Sequence, residues 1–420
     1  MSHIVTLLVV LALIITLARL LGAGARRLGQ PPVIGEVLAG VLVLPLLVAT
    51  APGAALFPDA IRSDLSVLAN LGVALFMFVV GMELDTATVR RSGKTAVAVA
   101  VSCMALPFGL GLLVALALAG RHAPDGSHTA FLVYFAVAMS ITAFPVLARL
   151  LTDRGMQRTA SGSLALTSAA INDALAWVLL AVAVALSGQG ADDQWLLALS
   201  VPYLALMLWG VRPALAKIMA DDRVLGPGKL AVVVAGMLLS AAFTEWIGLH
   251  LIFGAFLFGV VMPPSGVRQL VHEKVAELNG VLLLPIFFIV AGLNIDLGAF
   301  TSSGLGWLAL ILVAAITGKF LGAYAAARAC GCPPRQSAVL GTLMNTRGLT
   351  ELVVLSIGVQ MGLLTPQLYT LMVIMALVTT AMAAPLLSVL YPQRVLDAEL
   401  RDLGGAVRAA TPNPTADTTK

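Results

Sequence analysis

The stretch SGSLALTSAAINDALAWVLLAVAVAL, residues 161–186, is apolar almost throughout and interrupted at its centre by Asn172 and Asp173. At 1.5 Å per residue it is long enough to cross a bilayer as a helix. Asp173 then lies near the midplane, where a charge costs roughly 3 kcal/mol or more, so it is read as a functional group. A buried structural aspartate paired with a lysine is the plainer alternative.

Outward from this stretch the chain has the same character. Of 420 residues, 60% are hydrophobic and 11% charged, and mean hydropathy is +0.99. A soluble domain carries about 25% charged residues, so the composition is that of an all-α polytopic membrane protein. Thirteen apolar spans are read at roughly 4–21, 32–49, 65–82, 95–119, 129–150, 160–186, 195–213, 229–246, 249–263, 279–295, 304–326, 336–360 and 366–390. The first span has neither a basic start nor a small-residue cleavage site after it, so it is not read as a removable signal. The segment 392–420 ends in TPNPTADTTK and reads as a short disordered tail with no room for a nucleotide-binding module.

Lysine and arginine placement orients the spans. The loops after odd-numbered spans, counted with the span ends that border them and the tail, hold 21 of the 25, including Arg26, Arg90, Arg154, Arg212, Lys274 and Arg335. The opposite face has Arg62 and Arg121, while Lys319 and Arg347 fall inside spans. The positive-inside rule places the tail in the cytoplasm and the N-terminus outside, in a plasma (inner) membrane. The pI near 9.1 follows from this bias and points to no nucleic acid. Cys103, Cys330 and Cys332 are too few and too scattered for a disulfide framework, and Cys330-Gly331-Cys332 reads as incidental rather than as a metal or redox site.

An internal repeat gives the architecture. LFMFVVGMELD (75–85) matches IFFIVAGLNID (286–296), with Gly81 on Gly292 and Asp85 on Asp296. Gly35 and Gly40 fall on Gly254 and Gly259, and AMSITAFPV (138–146) matches LMNTRGLTE (343–351) through Met139-Ser140 and Met344-Asn345. The offsets, 205 to 219, relate spans seven apart, so the copies are inverted. The expected layout is a six-span repeat over about 1–190, a linker helix over about 195–213, and an inverted repeat over about 225–391, together forming one transmembrane domain over 1–391. Inverted repeats with interrupted helices at corresponding positions are the pattern of a secondary transporter.

The two interruptions differ. In the fifth span Pro145 cannot donate to the Ile141 carbonyl and disfavours helix at Phe144. Ser140 and Thr142 stand just before it with hydroxyls and freed carbonyls, although a simple proline kink would read the same way. In the twelfth span Asn345, Thr346, Arg347 and Gly348 form a polar patch in an apolar run. Two discontinuous helices crossing near the midplane would offer carbonyls to a cation at their C-terminal ends and stabilise a carboxylate at their N-terminal ends.

On this reading Asp173 binds either a proton or Na+ or K+, and competition for the same oxygens is the chemistry of antiport. Asn172 adds an amide oxygen, and one acid beside one amide suggests one-for-one, electroneutral exchange. Lys319 is expected to pair with Asp173, with snorkelling to the interface as the alternative. Arg347 and Glu351, four apart, are expected to pair and fix the shape of the broken helix rather than touch the ion. Glu36, Glu83, Asp85 and Glu245 lie toward span ends, where vestibule and interfacial roles both remain open. His250 reads as structural.

The chain also resembles the monovalent cation:proton antiporter-2 family, which includes plant cation/proton exchangers and bacterial glutathione-gated potassium efflux proteins. The resemblance runs through PPVIGEVLAG (31–40), GMELD (81–85), ITAFPVLARLL (141–151), AINDALAW (170–177), GLHLIFGAFLFGVVMP (248–263), LLLPIFFIVAGLNIDL (282–297), Gly318-Lys319 and LMNTRGLTELVVLSIG (343–358). It implies the sodium-proton antiporter fold and a homodimer in which a core domain moves as an elevator against a dimer-forming domain. It also implies Asp173 as carrier of ion and proton, with Thr142 and Ser140 supplying oxygens, Lys319 as the core-domain lysine, and Asn172 where electrogenic relatives have a second aspartate. No cofactor is implied. Gated potassium efflux members carry a nucleotide-binding domain after the last span, so such regulation is expected here only if a separate subunit brings it, and nothing in the sequence supports one. A cation channel, an organic-anion symporter on a similar inverted fold and a non-transporting scaffold are the competing functions; the last leaves Asp173 as an unexplained cost.

Overall fold

In the computed structural model the chain is helical throughout the described residues, which are 2–30, 32–40, 57–83, 93–123, 128–157, 159–186, 199–219, 226–263, 266–293, 295, 302–392 and 394–396. The helices are α1 (His3–Arg27), α2 (Pro32–Leu38), α3 (Asp59–Glu83), α4 (Lys94–His122), α5 (His128–Ser140), α6 (Phe144–Asp153), α7 (Ala160–Leu186), α8 (Ser200–Leu206) and α9 (Arg212–Ile218) in the first half. The second half holds α10 (Pro227–Trp246), α11 (Leu251–Val261), α12 (Gly266–Leu278), α13 (Leu284–Leu293), α14 (Ser302–Ala329), α15 (Pro334–Met344), α16 (Leu349–Gln360) and α17 (Pro366–Leu390). Single π-helical turns, Met207–Val211 and Asn279–Leu283, join α8 to α9 and α12 to α13.

Nine of these elements, taking α5 with α6 and α12 with α13, are long and apolar enough to cross a membrane. The other four sequence spans are the second, whose second half lies outside the described residues, the seventh, carrying a π turn, the eleven-residue ninth and the broken twelfth. Thirteen crossings therefore remain the consistent reading of the chain.

Two boundaries need correction. The helix that carries the tenth span begins at Gly266, ahead of residue 279, because GVRQLVHEKVAEL is amphipathic: Val271 and Val275, one turn apart, are buried while the face bearing Glu273 and Lys274 is exposed. Its charges made it look like a loop. The linker helix continues past residue 213 to Ile218, with Pro213 directly after the π turn, and residues 195–198 lie outside the described residues. Asp85, Asp296, Arg90, Arg91, Arg223 and the tail after Leu396 lie outside the described residues.

The helices sort into two bundles by their closest packing. In one, α14 lies along α4, α4 along α5 and α7, and α15 against α14 and α17. In the other, α11 and α13 pack on α3, α10 on α11, and α2 on α1 and α13. The first bundle holds spans four to six and eleven to thirteen, so each repeat contributes its second half to it.

Glycines at matched positions show the repeat symmetry at atomic scale. A Cβ on Gly35 would fall 2.1 Å from the Leu21 carbonyl oxygen, and one on Gly254 would fall 2.1 Å from that of Ser240. Leu21 and Ser240 are themselves related by the offset of 219 that relates the two glycines. Across the repeats, Gly292 abuts Gly40 and Gly259 abuts Gly81, with a Cβ on Gly292 2.2 Å from the Gly40 carbonyl carbon. Only glycine admits backbones this close.

Candidate functional site

The fifth and twelfth spans both break at the expected places. α5 stops at Ser140 and α6 starts at Phe144 with Pro145 in its first turn; α15 stops at Met344 and α16 starts at Leu349. The two gaps touch through a backbone hydrogen bond from Ala143 N–H to the Thr346 carbonyl, 3.1 Å. Freed backbone groups in a bilayer must find partners within the protein, and several at this crossing do.

The C-terminal ends are closed by protein donors. Arg347, fully buried, donates through Nη1 to the Ala138 carbonyl at 3.2 Å and through Nη2 to that of Met139. Its Nη1 also meets both Glu351 oxygens at 2.7 Å, so the expected pair forms. Lys319, also fully buried, donates to the Ser140 carbonyl and to Thr142 Oγ1. Thr142 Oγ1 in turn donates to the Met344 carbonyl, 3.1 Å. The carbonyls expected to face a cation thus carry arginine, lysine and threonine donors here.

The start of α6 behaves differently. Thr142 N–H donates to Asn172 Oδ1 at 3.1 Å, and Ala143 N–H is taken by Thr346. The next amide, Phe144, is the backbone donor that faces Asp173. A helix N-terminus carries partial positive charge, so this placement favours a carboxylate beside it.

Asp173 is 2% exposed, and neither carboxylate oxygen accepts a hydrogen bond of normal geometry. It lines a cavity of about 10 Å3 with Val80, Glu83, Phe144 and Ala170. That space is about one water molecule in size. Lys319 bonds elsewhere and does not pair with Asp173, contrary to expectation. Asn172 spends its oxygen on Thr142 and directs Nδ2 toward the Ala100 carbonyl at 3.4 Å, so it organises the break.

The remaining sequence candidates sit at the crossing. Ser140 Oγ donates to Val137 within α5, and Thr346 Oγ1 reaches back from the gap to Leu343 of α15, both at 2.8 Å. Asn345 is buried with Oδ1 unpartnered and Nδ2 3.9 Å from Met382 Sδ. Sequence reasoning missed Thr380, whose Oγ1 accepts from Arg347 N–H at 2.9 Å and donates to the Arg347 carbonyl at 2.6 Å. Two adjacent threonines in the apolar run LVTTAMAAP were the available signal. Among the described residues no three His, Cys, Asp or Glu side chains gather as a metal centre.

At the N-cap of α11, ahead of the helix itself, burial holds His250 below its ordinary value of 6.5, against the opposing pull of Glu245 and of the bond to Gln360. That bond, Nε2 to Oε1 at 3.3 Å, ties α11 to the end of α16 and so joins the two bundles.

Comparisons with known proteins bear on the fold and the family. A family profile described as sodium/hydrogen exchanger, transmembrane, matches residues 9–390. The Na(+)/H(+) antiporter NhaS4 of Synechocystis is 38% identical over 405 residues, covering 92% of this chain and 98% of that protein. Cation/H(+) antiporter 17 of Arabidopsis thaliana is 38% identical over 403 residues, 93% of this chain and 49% of that protein. The chain thus spans about half the length of the Arabidopsis relative and nearly all of the Synechocystis one. Among solved structures, the sodium proton antiporter MjNhaP1 of Methanocaldococcus jannaschii superposes with a TM-score of 0.61 at 16% identity, over 96% of this chain and 99% of that one, which shows the shared fold.

Proposed function

Because the chain belongs to the transmembrane sodium/hydrogen exchanger family, we propose that it exchanges Na+ or K+ for protons across the membrane by alternating access, with Asp173 carrying either ion. The observation that carries this reading is the Asp173 carboxylate: buried, without a hydrogen-bond partner, and facing a space the size of one water. An unpaired charge in such a place is costly, so the group holds a proton or a cation whenever it is sealed from water. Alternation of the two is obligatory exchange. The names of the relatives, Na(+)/H(+) and cation/H(+) antiporters, support the same substrates.

Asn172 and Thr142 act through the backbone of the break, and Ser140, Asn345 and Thr346 shape it. Lys319, Arg347 and Glu351 neutralise and pin the helix ends. With one acid and its amide neighbour in use elsewhere, the exchange is electroneutral, one proton per cation. The lysine and arginine asymmetry of the loops supports a cytoplasmic C-terminal face and an external N-terminus. The division into two bundles supports an elevator movement of the one carrying Asp173 against the other within a homodimer.

The test is reconstitution in vesicles with a trapped pH dye and clamped voltage, adding Na+, K+ or Li+. Cation-driven proton movement lost in Asp173→Asn supports the mechanism. Proton movement surviving that change, or conduction without a coupled proton as in a channel, overturns it.

A further inference from the structure

We propose that Glu83 is the relay through which ions pass between Asp173 and the membrane face that carries Cys330, with His272 as the positioning residue that holds its carboxylate. The proposal rests on the role of Asp173 given above.

Glu83 is the last residue of α3, and the eleven residues before it, Gly72–Met82, are all buried. Its own side chain is 33% exposed, whereas Asp173 is 2% exposed. Both line the same cavity of about 10 Å3, whose other walls are Val80, Phe144 and Ala170. A single water or a partly dehydrated cation held there lies beside both residues. Glu83 is thus the polar group standing between Asp173 and water, on a wall otherwise built from apolar side chains. A sodium or potassium ion shedding water on its way inward needs replacement oxygens, and a carboxylate supplies them with compensating charge.

The carboxylate is held from the far side. His272 Nε2 on α12 lies 2.9 Å from Glu83 Oε1, and α12 packs on α3. Both side chains are about one-third exposed. The charged groups facing His272 are Glu83 on α3 and, on its own helix, Glu273 and Arg268. One Glu83 oxygen is engaged by the imidazole, which leaves the other to turn toward the cavity. His272 thus reaches Asp173 only through Glu83.

The two carboxylates belong to different bundles: α3 packs with α11, α12 and α13, and α7 packs with α4, α5 and α15. Relative movement of the bundles separates them. Glu83 therefore serves Asp173 in one arrangement only, which makes its effect one-sided. The ends of α3 and α14 fall on the same face by span parity, so Cys330, exposed just past α14, marks that face.

The experiment uses full-length protein in vesicles sorted for orientation by an impermeant maleimide on Cys330, with half-saturating Na+ or K+ measured from each face. Glu83→Gln is expected to raise that concentration about tenfold, equivalent to about 1.4 kcal/mol, on the Cys330 face alone. The opposite face stays within about twofold. The maximal rate from the Cys330 face rises in step, because at equal pH and zero voltage a passive exchanger keeps the ratio of maximal rate to half-saturating concentration equal from its two faces. His272→Ala is expected to act in the same one-sided direction, more weakly, and decides the matter if Glu83→Gln does not fold. Equal changes on both faces, a change in maximal rate alone, or no change overturns the relay. Asp173→Asn, run in parallel, separates the two ideas: retained exchange there fells the Asp173 site itself, whereas a dead Asp173→Asn with a silent Glu83→Gln fells only the relay.

Discussion

Thr142 and Arg347 stand at matched positions of the two inverted repeats, and each caps the helix that the other's segment leaves open. Thr142 Oγ1 donates to the Met344 carbonyl, and Arg347 Nη2 donates to the Met139 carbonyl. Met139 and Met344 are related by the same offset of 205 that relates the two donors. The exchange of caps is reciprocal in position and unequal in charge. One repeat supplies a hydroxyl, the other a guanidinium, and Lys319 makes up the difference by capping Ser140 beside Thr142. The crossing therefore holds two cations and one paired carboxylate, Glu351, close to Asp173.

Replacing Arg347 by methionine leaves Glu351 buried without its partner and removes the donor side chain from the Ala138 and Met139 carbonyls. Breaking a buried pair from one side costs about 3–5 kcal/mol, so Arg347→Met is expected to lower folded yield and thermal stability sharply. The double change Arg347→Met with Glu351→Leu removes the orphaned carboxylate and is expected to recover part of the loss. A thermal-unfolding series on the two proteins in detergent checks this; a double variant less stable than the single one contradicts it.

Lys319 separates a capping role from a counter-ion role. Its ammonium bonds to Ser140 and Thr142, and Asp173 receives no bond from it. Lys319→Gln keeps a donor for one of those acceptors, so exchange is expected to fall by roughly tenfold or less, with a loss of about 1.5–3 kcal/mol in stability for the charged hydrogen bonds. Abolition of exchange in well-folded Lys319→Gln protein, equal to that of Asp173→Asn, would make Lys319 the counter-ion after all.

The architecture was legible because membrane burial leaves strong marks: apolar length, basic loops, and glycines where backbones touch. Gly40 and Gly259 announced the inverted repeat before their contacts with Gly292 and Gly81 were visible. The site was legible by residue type, since Asn172, Asp173, Lys319 and Arg347 are expensive wherever they lie in a bilayer. What the sequence concealed was who bonds to whom. Lys319 and Asp173 have opposite charges and sit in facing repeats, yet the helix break offers the lysine two acceptors nearer its own reach. Glu83, at the end of a span, left vestibule and interfacial roles open, and only the cavity it lines with Asp173 tells them apart.

Acid sensitivity is expected at the contact between bundles made by His250 and Gln360. Burial, opposed by Glu245 and the Gln360 bond, leaves His250 below its ordinary 6.5. The native state therefore favours neutral imidazole, and as pH falls through the ordinary value the unfolded chain takes up the proton first, so native stability drops there. Above that range the group contributes no pH dependence. His250→Gln, which retains a polar side chain without the titration, is expected to flatten the loss of thermal stability between about pH 6.5 and 5. Identical acid limbs for the variant and the parent protein contradict the assignment.

Asn172 offers the sharpest functional test. Its oxygen accepts from Thr142 N–H and its nitrogen faces the Ala100 carbonyl. In Asn172→Ala the buried amide of Thr142 loses its acceptor, a penalty of about 1–3 kcal/mol, so stability is expected to fall even though the ion carboxylate is untouched. Asn172→Asp keeps the acceptor, gives up the donor, and places a second acid directly beside Asp173. A second titrating carboxylate allows two protons to be exchanged per cation, so transport is expected to change from voltage-insensitive to voltage-sensitive. Clamping vesicles at zero and at −100 mV, about 2.3 kcal/mol per elementary charge moved, reads this directly. A parent protein already driven by voltage contradicts electroneutral exchange, and an active Asn172→Asp protein with no voltage response means that the added acid does not carry a proton across.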